Sequence, residues 1–185
     1  STSEGLFFET INAAGVMQVP MLISVWDDGH GISVPKKYQT TKESISEILK
    51  GFQREKGGVG YEIFKTKGWD YAHLCETYEN ASRICREEHI PVLIHVEEVT
   101  QPQGHSTSGS HERYKSKERL QWETDFDGIK KMREWILAKK IATETELLEI
   151  EENAKKTIRQ AKSDAWNAYL TPIKTERAEV IELIN

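Results

Sequence analysis

The chain has 185 residues, 30% of them charged, with a formal net charge of -5. A mildly acidic surface offers no electrostatic footprint for nucleic acid or anionic membrane, and no apolar run reaches the roughly 18 to 20 residues of a membrane span. Neither nucleic acid nor membrane is therefore expected as a partner.

The run Leu6, Phe7, Phe8, Ile11 and Ala14 predicts an amphipathic helix over residues 4–17, ended before Pro20. It comes so soon after the first residues, with no basic leader, that the chain is expected to begin inside a domain and to be cytoplasmic. Residues 21–26 read as a short buried strand, and residues 27–35, with two glycines and a proline, as a loop at its carboxyl end. Thr40-x-x-Glu43 has capping-box spacing, and Ile45, Ile48, Leu49 and Phe52 predict one apolar face of a second helix. The glycines at 57, 58 and 60 end it; they precede a strand, so they form a turn and not a phosphate-cradling loop. Residues 61–67 are a second strand, Asp70 caps a third helix through Leu74, Tyr78, Ala81 and Cys85, and residues 91–96 are a third strand. Cys75 and Cys85 on one helix would lie about 15 Å apart, too far for a disulfide, which fits a reducing compartment.

Strands alternating with helices, each strand apolar, imply a parallel sheet covered on both faces. The fold class is thus α/β, part of a doubly wound parallel sheet over residues 1–125, followed by a helical extension over 126–185. In that extension Ile129, Met132, Trp135 and Ile136 mark a helix over 126–139. Thr143-x-x-Glu146 opens a long charged helix to about Leu170, and Pro172 starts a last one. Its charge-rich surface, 151–162 above all, suits either solvent or a docked partner.

Ligands of such sheets bind at the carboxyl ends of strands, so two loops are candidates. Asp27-Asp28-Gly29-His30-Gly31-Ile32-Ser33 can supply hard oxygen ligands for Mg²⁺ or Ca²⁺; it equally suits an Asp-Gly turn in which Asp28 caps an amide. Gln101-Pro102-Gln103-Gly104-His105-Ser106-Thr107-Ser108-Gly109-Ser110-His111 is rich in small hydroxyl residues and carries a histidine, His105, that can move a proton near neutral pH. It also suits a plain surface connection. Zinc is set aside, because His95, His105 and His111 lack paired-ligand spacing and neither cysteine is near them.

In this order and spacing the two loops resemble the α subunit of the thiamine-diphosphate-dependent 2-oxo acid dehydrogenase decarboxylating components, of pyruvate or branched-chain type. In that family a Gly-Asp-Gly or Gly-Glu-Gly triplet opens the cofactor motif and Asn-Asn-Gly-Tyr-Ala/Gly-Ile-Ser closes it. Residues 1–5 resemble the family's segment immediately after the triplet, residues 27–33 the closing half, and Gly104-His105-Ser106-Thr107-Ser108 the loop over the cofactor. The resemblance implies Asp28 and the carbonyl of His30 as Mg²⁺ ligands and Ser1, Ile32 and Ser106 as contacts to thiamine diphosphate. It makes His105 the residue for proton transfer or orientation. It also implies a β subunit, or a β part of the same chain, that supplies the carboxylate activating the aminopyrimidine. A lipoyl-bearing transacylase would accept the acyl group made from the 2-oxo acid.

Four positions depart from the family pattern: Asp27-Asp28 stand for Asn-Asn, His30 for tyrosine, and Gln101 for an arginine near the diphosphate. The loop after the third strand is expected to be mobile without cofactor. A noncatalytic helical interaction domain and a transketolase-like transferase are the alternatives.

Overall fold

The computed structural model describes residues 2–101, 105 and 111–184. Helix α1 (Gly5–Met17) ends where Gln18 turns left-handed, which lets the Val19 amide reach the Ala14 carbonyl at 3.2 Å. Strand β1 (Leu22–Trp26) comes next. The segment expected as an irregular loop then folds into a small hairpin, β2 (His30–Gly31) against β3 (Val34–Pro35).

Helix α2 (Ile45–Ile48) is short and passes into a 3-10 turn over Leu49–Phe52. The capping box expected at Thr40 does not form: Thr40 makes no side-chain cap, and Lys42 and Glu43 take positive φ values of 60° and 55°. Burial decides this segment over local pattern, since Ile45 and Leu49 reach the core at 3% and 2% exposure. Gly60 closes the next turn at φ +137°, and a Cβ there would lie 2.6 Å from the Phe52 carbonyl oxygen.

Strand β4 (Glu62–Lys67), helix α3 (Tyr71–Glu87) and strand β5 (Val92–Glu97) complete the α/β part. Asp70 caps α3 as expected, accepting the His73 amide at 3.1 Å. Cys75 and Cys85 both lie on α3 and are free thiols. The three strands are parallel in the order β1-β5-β4, with Leu22 and Glu62 both in register with Val92. Residues 92–96 are fully buried because β5 is central and both its faces are covered. Leu93 points to the layer of Ile11, Ala14, Ile45, Leu49 and Tyr61, while Val92, Ile94 and Val96 point to Ala81 and Cys85 of α3. Strand β4 is not apolar throughout as expected; Lys65 and Lys67 alternate with buried or half-buried residues, which suits a strand paired on one side only.

Helix α4 (Lys117–Asp125) falls in the stretch after Tyr114 that reads as helix, though with no bounds of its own in the sequence pattern, and is capped by Ser116, whose Oγ accepts the Arg119 amide at 3.2 Å. Helix α5 (Gly128–Ala138) leads to α6 (Glu144–Ile184), 41 residues long. The Thr143 capping box is present and reciprocal: Thr143 N–H donates to Glu146 at 2.8 Å and Glu146 N–H to Thr143 Oγ1 at 3.3 Å. The break expected at Pro172 is absent and one helix runs through it. Proline removes the bond to the Ala168 carbonyl and its ring crowds that carbonyl, and on an exposed helix water can take the freed acceptor. The chain divides into two compact units, Ser1–Glu134 and Trp135–Asn185. Among the described residues no helix is long and apolar enough to cross a membrane.

Candidate functional site

At the carboxyl end of β1 the chain enters a cavity of about 480 Å³ lined in part by Ser3, Asp27, Asp28, His30, Lys36 and His95. Its position is set by the parallel sheet, whose strands all end on this side.

The two aspartates do different work. Asp27 is largely enclosed and accepts three hydrogen bonds: from Lys36 Nζ at 2.7 Å and His95 Nε2 at 3.0 Å on Oδ2, and from the Gly29 amide at 2.8 Å on Oδ1. Burial by itself pushes this carboxyl up. The hydrogen bonds from His95 and Lys36, the charge of Lys36 and the Gly29 amide outweigh it and hold the group well below the usual carboxylate range. His95 passes the chain of contacts inward, its Nδ1 lying 2.8 Å from Ser46 Oγ. Asp28 is less committed: Oδ1 accepts the His30 amide at 3.0 Å. Its backbone carbonyl accepts Arg119 Nη2 at 2.8 Å.

His30 starts the hairpin, with its ring 5.7 Å from that of Tyr114. Ile32 sits at the hairpin tip, 62% exposed and at φ 60°. A β-branched residue adopts that conformation at a cost, which marks the tip as a place where the surroundings dictate the backbone. His105 is exposed. Ser1 and Ser106, and with them most of the second loop, lie outside the described residues. The structure thus brings Asp28 and His30 together on one turn with Ile32 at its tip.

Sequence reasoning missed Lys36, Ser46, Lys115, Arg119 and Glu123. The only local signal was Arg119 and Glu123 at i, i+4 on a helix. Among the described residues no three His, Cys, Asp or Glu side chains converge as a metal cluster. A cation here would take one carboxylate and backbone oxygen, with the rest from a phosphate-bearing ligand and water, which is how Mg²⁺ is commonly held.

An acidic, Gly-containing turn at the carboxyl edge of a parallel α/β sheet stands where sheets of this class place their ligand sites. The chain belongs to the dehydrogenase E1 component family, whose model matches residues 1–174. It is 23% identical over 170 residues to the pyruvate dehydrogenase E1 component subunit alpha of Rickettsia bellii, covering 92% of this chain and 49% of that protein. It is 28% identical over 171 residues to the mitochondrial 2-oxoisovalerate dehydrogenase subunit alpha of Dictyostelium discoideum, covering 91% and 37%. To the mitochondrial 2-oxoisovalerate dehydrogenase subunit alpha 1 of Arabidopsis thaliana it is 27% identical over 186 residues, covering 100% and 36%. The chain spans about half or less of the length of these relatives.

Proposed function

We propose that this chain is the cofactor-binding part of the α component of a 2-oxo acid dehydrogenase, acting on pyruvate or a branched 2-oxo acid with thiamine diphosphate and Mg²⁺. The observation that carries the reading is the Asp28-Gly29-His30 turn at the carboxyl end of β1, opening on the 480 Å³ cavity in a chain of this family. When bound, thiamine diphosphate supplies a nucleophilic carbon for the 2-oxo acid and an electron sink for its decarboxylation.

The chain's own residues divide the remaining work. Asp28, through its carboxylate, and His30, through its carbonyl, hold Mg²⁺; Ser1 offers its amide to a phosphate, and Ser106 and Ile32 contact the cofactor. Asp27 is not a ligand, because Lys36, His95 and the Gly29 amide already occupy its oxygens. Lys36 offsets the charge of Asp27, so the site carries one extra negative charge relative to an Asn-Asn pair, that of Asp28. His105 orients the substrate or moves a proton. A β component completes the site, a lipoyl-bearing transacylase takes the acyl group, and the protein works in a reducing compartment, the cytoplasm in our reading, where Cys75 and Cys85 stay free.

The test is turnover of pyruvate and of branched 2-oxo acids by the complete protein with its β component, with and without cofactor and Mg²⁺. Activity lost on chelation and restored by Mg²⁺ is expected; turnover indifferent to thiamine diphosphate rejects the reading. Asp28→Ala should raise the Mg²⁺ dissociation constant by about 10-fold or more while leaving the melting temperature near wild type. Asp27→Ala should do the reverse. Equal effects, or a larger Mg²⁺ defect at Asp27, would exchange the two roles.

A further inference from the structure

Lys115 and Glu123 are buried, at 7% and 1% exposure. Lys115 Nζ donates to both Glu123 oxygens at 2.8 and 2.9 Å and to the Gln101 carbonyl at 3.2 Å. Arg119, one turn before Glu123 on α4, donates from Nε to Glu123 at 2.8 Å and from Nη2 to the Asp28 carbonyl at 2.8 Å. Its guanidinium also lies over the Trp122 ring, 4.6 Å from the centroid, so its plane is fixed from two directions.

Taking the Lys115 and Glu123 charges out of water is costly, and apolar residues of similar volume often stabilise a fold as well. Stability therefore explains this triad poorly. What it holds explains it better, because its outer hydrogen bonds land on the backbone carbonyls of two segments at the ends of neighbouring strands, Asp28 after β1 and Gln101 after β5. At Asp28 the constraint is unusually complete. The Asp28 carbonyl and the Gly29 amide belong to one peptide group; Arg119 holds the first and Asp27 Oδ1 holds the second at 2.8 Å. That plane cannot rotate without breaking a hydrogen bond on each side, and Gly29 at φ +82° accommodates the resulting turn.

We propose that Arg119 is a positioning residue, anchored by Glu123 and Lys115, which locks the Asp28–Gly29 peptide so that the Asp28 carboxylate and the His30 carbonyl are oriented for Mg²⁺. The inference rests on the proposed function and extends it to a residue on α4 that touches neither metal nor cofactor. Lysine cannot do the same work, since the two acceptors need two donors fixed in one plane.

The test uses the complete protein with its β component and the variants Arg119→Gln and Arg119→Lys. Mg²⁺ is titrated at saturating thiamine diphosphate, by calorimetry and tryptophan fluorescence. Amide exchange of the 27–31 segment and the melting temperature are measured without either ligand. Both variants should raise the Mg²⁺ dissociation constant by about 10-fold or more. Exchange at Gly29 and His30 should be faster and the melting temperature close to wild type, because Arg119 is partly exposed. If Arg119→Gln proves insoluble, Arg119→Lys carries the comparison. An unchanged Mg²⁺ constant, or one that lysine restores, overturns the inference while leaving the functional reading intact. Wild-type protein that binds no thiamine diphosphate with Mg²⁺ overturns both.

Discussion

Asp27 carries a charge that the fold has made hard to protonate, and this gives acid sensitivity a specific origin. Its folded pKa lies below the unfolded value, so the group's contribution is fully present above about pH 4 and is lost as the pH falls through the folded value. Asp27→Asn should therefore lower the melting temperature at pH 7, and the gap to wild type should close progressively below about pH 4. A gap of the same size at pH 7 and pH 3 would mean that the charge contributes nothing and only the side-chain shape matters. The acidic pair itself was legible in the sequence as Asp-Asp-Gly at the end of an apolar run. The division of labour between its members was not, because the deciding partners are Lys36, nine residues on, and His95, 68 residues on. No periodicity links positions so far apart; only the parallel pairing of β1 with β5 brings His95 beside Asp27.

Elements were legible in proportion to how much their local pattern agreed with their surroundings. The caps at Asp70 and Thr143 read correctly because a side chain and an amide three residues away are enough to make them. Thr40-x-x-Glu43 offered the same letters, and the burial of Ile45 and Leu49 overrode them. The stretch after Tyr114 reads as helix, but the bounds of α4 do not, because its inward residues include Glu123, whose burial depends on Lys115 and Arg119 and not on hydrophobicity. Proline at 172 signalled an end that the structure does not make. Interior proline costs about 3 kcal/mol relative to alanine, so α6 retains an avoidable weakness there. Pro172→Ala should increase helical ellipticity and raise the temperature at which the far-ultraviolet helix signal of α6 is lost. An unchanged signal would mean that the two halves of α6 melt independently of the peptide at 172.

For the whole molecule, the functional reading requires more than this chain. In that reading the described residues supply Mg²⁺ only the Asp28 carboxylate and the His30 carbonyl, and Mg²⁺ sheds water reluctantly for so few preorganised ligands. The 185-residue chain alone should show negligible binding of thiamine diphosphate with Mg²⁺ by calorimetry. A dissociation constant on the order of 1 μM, about 8 kcal/mol of binding, would show that the chain needs no complement.

The strand order has a consequence for the birth of the protein. Strand β5 lies between β1 and β4 yet is the last of the three to be synthesised, and the outer two do not pair with each other. Among the described strands, β1 and β4 have no partner in this sheet until Val92–Glu97 has left the ribosome, and Leu22 and Glu62 both wait for Val92. Closing such long loops places the entropic cost of the sheet before its reward. Helices α1 and α3 can form early from local contacts, whereas the sheet condenses around its final strand. The nascent chain therefore passes through a stage in which β1 and β4 are both unpaired, the stage at which a chaperone has most to protect.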